Sequence, residues 1–283
     1  MKKHLISSGI SLLAVCASHA ALIGEWRLDE VSGTLADSSG FGQTLSIAGG
    51  TPNPAYAQPG VPNGTYGAIT VSNAAGTSVS FPASTYFAGP ATNNTAVQNL
   101  GSGSAFTVLG WVNVSSLVAN QSYRLLTTGT NSGGDGGWGL ALQINSTSGD
   151  AGLRWTNFGI ADNNSSSFSV TTGTWINIAA TYNNGAISYY LNGVAIGTST
   201  SSFMDESANG RLALGNRYNG GAADQMLGSI DGVRVYDSVL TAGQIQTAAA
   251  QSVSAVPEPS AYGLLGAGAL TGALVLRRRR RSR

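Results

Sequence analysis

Hydrophobic residues in the middle of this chain alternate with small or polar ones over short runs, and no long stretch carries the spacing of an amphipathic helix. Phe106, Val108, Val112 and Val114 share one parity, interrupted at Gly110, while Leu109 and Trp111 take the other. That pattern predicts a strand with both faces partly covered. From Trp175 to Thr198, Asn184-Gly185 and Asn192-Gly193 separate three strand-like runs. Both dipeptides accept the positive φ angles of tight hairpin turns, so the segment predicts a three-stranded meander. Further strands are expected over 211–215 and 228–236. In the second, Ile230, Val233 and Val235 change parity around Gly232, the mark of a bulge. Gly49 to Gly64, which holds Pro52, Pro54, Pro59 and Pro62, and Ala88 to Gly103 read as loops. Thr241 to Ala249 reads as one short helix capped by Thr241, and 250–256 as a linker.

The two ends follow a different pattern. Lys2 and Lys3, an apolar run from Leu5 to Val15 and the small residues Ser18 and Ala20 read as a secretory signal peptide over 1–20. At the other end Pro257-Glu258-Pro259 precedes 17 uncharged residues, Ser260 to Leu276. As a helix these would reach about 25 Å, the lower end of what spans a bilayer. Arg277, Arg278, Arg279, Arg280 and Arg281 follow at once, and their charge favours the cytoplasmic side. This order of triplet, apolar helix and arginine-rich tail over 257–283 resembles the PEP-CTERM sorting signal. The resemblance implies an exosortase acting near Pro257-Glu258-Pro259, after export through the Sec translocon and cutting by signal peptidase. The protein is then an inner-membrane-anchored precursor that ends at the cell surface or in the extracellular matrix.

Setting both ends aside changes the charge. The whole chain is formally +1, but between Ala21 and Val256 six arginines face twelve carboxylates, a net of −6. This acidic segment carries no basic stripe, so a nucleic acid partner is not expected. Its lack of histidine and cysteine, which occur only at His4, Cys16 and His19, excludes Ser-His-Asp and Cys-His catalysis and histidine-ligated zinc.

The motifs of 21–249 come in a recognisable order. Trp26, Leu28, Asp29 and Glu30 precede an Asp37-Ser38-Ser39-Gly40 loop; the 106–112 strand, the 173–194 meander and the 228–245 strand-helix pair follow. The series resembles the laminin-G-like, concanavalin A-like lectin/glucanase domains. The resemblance implies an all-β, two-sheet antiparallel jelly-roll sandwich, with Trp26, Trp111 and Trp175 in its core. Asn177 stands where the family often has histidine.

Candidate chemistry is sparse. The Glu-x-Asp-x-x-Glu strand of the superfamily's enzymes is missing, so no catalytic residue is assigned and a non-enzymatic binding module is expected. A polysaccharide-cleaving enzyme and a purely structural matrix protein stay as alternatives. The family also implies a structural calcium, an ion that needs only oxygen ligands, with Asp29, Asp37 and Asp231 as candidates. The alternative is an Asx-turn for Asp37 and an Arg27 or Arg234 partner for Asp231. For extracellular polysaccharide, Trp138 and Trp155 are the candidate stacking faces, with Asp135 and Asn131 as hydroxyl partners. The other reading turns Trp138 inward and uses Trp155 to cover a sheet edge.

Overall fold

The computed structural model describes residues 20–49, 51–82, 85–90, 95–129, 136–203, 205, 211–218 and 224–254. In chain order the strands are β1 Leu22–Trp26, β2 Ser46–Ile47, β3 Ala55–Pro59, β4 Gly64–Tyr66, β5 Ile69–Val71 and β6 Thr77–Phe81, then β7 Phe87–Ala88, β8 Ala105–Val114, β9 Gln121–Thr127, β10 Trp138–Ile144, β11 Asp150–Asn157 and β12 Ala161–Asn164, and finally β13 Phe168–Ser169, β14 Trp175–Asn183, β15 Ala186–Leu191, β16 Val194–Thr200, β17 Ala213–Leu214 and β18 Gly228–Tyr236. One helix follows, α1 Ala242–Ser252.

Two antiparallel sheets stack face to face. Sheet I runs β16-β15-β14-β8-β18-β6-β3, and β1 shares an edge of β18 with β6. Sheet II runs β12-β11-β10-β9-β17-β7-β2, with β13 against β11. The expected meander is β14-β15-β16, and its turns carry positive φ at Asn184 (45°), Gly185 (92°), Asn192 (49°) and Gly193 (75°). The expected bulge in β18 is present too. Its register against β8 shifts between Asp231 and Arg234, and Gly232 takes a φ of 54°. A Cβ there would lie 2.5 Å from Ser252 Oγ, so α1 closes directly over the bulge.

Gly110 explains the interruption in the β8 pattern. It keeps the inward parity, and a Cβ at this position would meet Leu125 at 2.8 Å. A missing side chain here makes room for a leucine from the opposite sheet. The main core fills the space between the sheets with Phe106, Val108, Val112, Leu125, Leu140, Leu153, Ile178 and their neighbours. Through it runs an aromatic stack. Trp138 and Trp155 from sheet II lie 5.2 Å apart and only 5° from parallel; Tyr182 of β14 follows Trp155 at 5.7 Å and 12°. Phe106 of β8 closes on Trp138 at 4.9 Å.

A second apolar cluster sits on the other face of sheet I. Leu109, Trp111, Trp175 and Ala179 are covered there by Ile245, Ala248 and Ala249 of α1 and by Ile69 and Val71 of the β4-β5 hairpin. Trp111 and Trp175 are therefore buried as expected, but beneath the helix rather than between the sheets; Trp26 belongs to the main core. The capping box of Thr241 and Gln244 starts α1. The helix runs to Ser252, three residues beyond the expected end, because an alanine-rich run offers no breaker and Trp111 Nε1 holds the Ala249 carbonyl at 3.0 Å. Residues 250–254 are thus packed rather than a free linker, and Arg27 Nη2 fastens the Ser254 carbonyl at 2.6 Å. A second correction concerns 49–64, expected as loop. Its Ala55–Pro59 portion pairs with β6 at the edge of sheet I, a position that tolerates proline.

Trp26→Ala and Trp111→Ala should each cost roughly 3–5 kcal/mol of unfolding free energy in urea melts. Ile160→Ala, at a position 52% exposed, should stay within about 0.5 kcal/mol. Equal midpoints for all three would contradict the packing.

Candidate functional site

The centre of sheet I is buried under α1 and the β4-β5 hairpin; the outer side of sheet II is buried too over β9 and β10, where Ala141 is 0% exposed, but a cleft opens beside it at β11 and β12. Along β10 and β11 the inward positions hold Trp138, Leu140, Leu142, Leu153 and Trp155, and the outward ones Gly139, Ala141, Gln143, Gly152, Arg154 and Thr156. Beside them lies a cleft of about 410 Å³ lined by Ser122, Arg124, Arg154, Thr156, Asp162, Arg217, Asp224 and the 157–161 turn.

One hydrogen-bonded network lines it. Arg124 is the anchor, with 4% of its side chain exposed. Its Nε and Nη2 donate to Asp224 Oδ1 at 3.0 and 2.7 Å, and Nη1 donates to Thr156 Oγ1 at 2.5 Å. Burial pulls this guanidinium below its ordinary value, and Asp224 opposes the shift. Its face also rests on the Phe158 ring at 5.7 Å. Thr156 Oγ1 donates in turn to Asp162 Oδ1 at 2.6 Å, and Asp162 Oδ2 lies 3.2 Å from Arg154 Nη1. Arg154 donates to Asn164 Oδ1 from Nε and to Ser122 Oγ from Nη1. Arg217 Nε sits 2.8 Å from Asp224 Oδ2. Ile160 stands exposed on the lip, so the cleft joins a charged floor to an apolar rim.

The sequence-derived candidates fall elsewhere. Trp138 and Trp155 are 0% exposed and stack on each other in the core. A ring with no surface cannot stack on a sugar, so their assignment as stacking faces is corrected. Trp155 Nε1 finds Asn157 Oδ1 at 2.8 Å, which settles its polar end indoors. Asn131 and Asp135 lie outside the described residues, as do Pro257, Glu258, Pro259 and Arg277 to Arg281. No helix among the described residues is long and apolar enough to cross a membrane, and the expected span over 260–276 lies outside them.

The three aspartates do not gather into one site. Among the described residues no group of three or more acidic, histidine or cysteine side chains converges as metal ligands would. Asp37 is committed to its own loop: Oδ1 accepts from the Glu25 and Ser39 amides at 3.0 and 2.9 Å, and Oδ2 from the Gln43 amide at 2.9 Å. Asp29 and Asp231 instead approach each other across Gly60 and Gly76. A Cβ on Gly60 would fall 2.9 Å from Asp231 Oδ2 and 3.3 Å from the Gly76 carbonyl; one on Gly76 would overlap Asp29 Oδ1. Neither Arg27 nor Arg234 hydrogen-bonds Asp231. Arg234 is paired with Glu25 through Nε at 2.8 Å and Nη2 at 2.5 Å, and Arg27 with Asp29 at 3.3 Å. Asp231 is 2% exposed and accepts from the Val61 amide at 3.0 Å. Burial, with the nearby Asp29 charge, pushes its carboxyl up to about 8. Two carboxylates and a carbonyl are the hard-oxygen chemistry calcium uses, so this pair fits such an ion in part, with Asp29 already accepting from the Thr77 amide at 2.7 Å and from Arg27; Asp37, with both oxygens on backbone amides, does not.

The comparisons with known proteins agree with this architecture. Residues 84–246 match the Laminin_G_3 family of the concanavalin A-like lectin/glucanases superfamily. The chain belongs to that superfamily. Residues 255–281 match the PEP-CTERM protein-sorting motif, which marks an exported, membrane-transiting protein destined for the cell surface. No curated protein matches the chain. Among solved structures, domain 4 of AbnA, a GH43 extracellular arabinanase from Geobacillus stearothermophilus in complex with arabinotriose, aligns at a TM-score of 0.54 and 21% identity over 81% of this chain and 98% of that one. A Trypanosoma rangeli sialidase complex aligns at 0.53 and 17%, over 83% of this chain and 34% of that one. The botulinum neurotoxin serotype D binding domain aligns at 0.51 and 13%, over 80% and 50%. At such identities these likenesses show the fold alone: the expected two-sheet, all-β jelly roll.

Sequence reasoning missed Arg124, Arg154, Thr156, Asp162, Arg217 and Asp224. The available signal was scarcity, since only six arginines occur between Ala21 and Val256 and Arg154 alternates with buried Leu153 and Trp155.

The raised Asp231 value has a stability consequence. The native state keeps a proton that the unfolded chain releases above its ordinary value of 3.8, so this residue lowers stability progressively as pH rises toward about 8. In chelator, the melting temperature of Asp231→Asn relative to the parent should therefore climb across that window and then level. A difference independent of pH would refute the buried, proton-holding carboxyl.

Proposed function

We propose that this protein is a surface-sorted, lectin-like module that holds extracellular polysaccharide in the cleft of sheet II. The observation that carries the reading is the connected polar network from Ser122 and Arg154 through Asp162, Thr156 and Arg124 to Asp224 and Arg217 around a cleft of about 410 Å³. Sugars offer hydroxyls in fixed directions and apolar C–H faces. A site for them needs polar groups locked in place beside an apolar surface, here Ile160. Both cleft carboxylates, Asp162 and Asp224, are engaged by arginines. That arrangement suits holding a ligand more than exchanging a proton with it, which supports binding over cleavage.

A panel of bacterial and plant polysaccharides should contain binders that are retained without release of reducing ends. Arg154→Ala should weaken that binding by about tenfold, the value of a lost charge-assisted hydrogen bond. New reducing ends, abolished by Asp162→Asn, would establish a cleaving enzyme instead. No retention of any polysaccharide would leave the structural matrix role.

We also propose that a structural calcium sits between Asp29 and Asp231, with the Gly76 carbonyl as a further ligand. It is supported by the burial of Asp231 without a hydrogen-bonded guanidinium. An ion there would offset the mutual repulsion of the two carboxylates. Calcium should raise the melting temperature and a chelator lower it, and Asp29→Asn should remove the response. A melting temperature indifferent to both would rule the site out.

A further inference from the structure

Between Ala21 and Val256 carboxylates outnumber arginines twelve to six, yet three of those six arginines line one cleft beside only two aspartates. The local balance is +1 in a segment of −6. The geometry shows where the excess lies. Asp224 serves two guanidiniums at once: Oδ1 takes both bonds from Arg124 and Oδ2 faces Arg217. One carboxylate cannot neutralise two cations, and Asp162 is already paired with Arg154.

The three arginines also differ in what they have left to give. Arg124 is buried and has turned Nε, Nη1 and Nη2 onto protein partners, so it is scaffold. Arg217 is 32% exposed; its Nε lies 2.8 Å from Asp224 Oδ2 without hydrogen-bond alignment, and its guanidinium donates no hydrogen bond among the described residues. Arg154 is 21% exposed, and its Nη2 is likewise without a partner among them. Guanidinium edges at the mouth of a polar cleft match the paired oxygens of a carboxylate or sulfate. A neutral sugar would leave the surplus charge standing.

Resting on the polysaccharide reading above, we propose that the cleft selects anionic saccharides. A carboxylate or sulfate of the sugar would be seated on Arg217, with Arg154 assisting. The site gains its preference from the electrostatic surroundings. An acidic globule repels polyanions everywhere else, so an anionic glycan that binds is directed to this patch.

The test is titration calorimetry on the full chain in detergent, with polygalacturonate, its carboxyl-reduced neutral product, dextran sulfate and plain dextran. An anionic polymer should bind at least about tenfold more tightly than its neutral counterpart, and salt should weaken it. Arg217→Gln should remove about tenfold of that affinity and bring the anionic polymer down to the level of its neutral counterpart; Arg217→Lys should restore part of the preference. Preference for polygalacturonate would identify a planar carboxylate seat, and preference for dextran sulfate a tetrahedral one. Equal binding of charged and neutral forms, or an inert Arg217→Gln, would overturn the anion proposal and leave polysaccharide binding intact. Failure of all four polymers to bind would overturn it along with the reading it rests on for these glycans.

Discussion

Two sheets become one domain here through a stack of aromatic rings. Trp138 and Trp155 come from sheet II, Tyr182 and Phe106 from sheet I, and each touches at least one ring of the opposite sheet. Large flat side chains bury more apolar area per residue than any aliphatic, and offset stacking adds a geometric preference to the area term. A chain with only five tryptophans commits two of them to this one contact. The cost is that neither can serve at the surface. Ligand binding must then be built from polar residues, and the outward positions of the strands bearing those tryptophans are where it is built.

The unequal treatment of the two outer faces decides where a ligand can go. Sheet I needs α1 and the β4-β5 hairpin because Leu109, Trp111 and Trp175 project from its outer side. The outer side of sheet II between β9 and β11 is polar, and the segment around Asp224 and Gln225 reaches over it through Arg124 and Gln121. Arg124, Arg154 and Arg217, with Asp162 and Asp224, line the cleft that remains. An apolar outer face is sealed by an apolar helix, and a polar outer face is met by ion pairs that leave a cleft between them.

Charge inside the fold is handled in two ways. Glu25 and Arg234 are buried together, with Arg234 Nη1 also bonding the Ala248 carbonyl, so β1, β18 and α1 meet at a satisfied pair. Asp231, three residues from Arg234 on the same strand, is buried beside another carboxylate and held by backbone amides. The bulge at Gly232 keeps both side chains on the outer face while Ile230, Val233 and Val235 stay inward.

The sequence alone was enough for the local elements and the address. Asn-Gly turns, the Gly232 bulge, the Thr241 cap and the sorting tail are readable because each depends on neighbours a few residues away. It was less informative on 49–64, where prolines suggested loop although an edge strand accommodates them. Which side a tryptophan faces was beyond it. Trp138 and Trp155 have the same local signature whether they meet solvent or a second sheet, and only the arrival of Phe106 and Tyr182 from sheet I decides. The cleft depends on tertiary structure in the same way. Arg124 and Asp224 are 100 residues apart in the chain, and no local pattern announces that they share a bond.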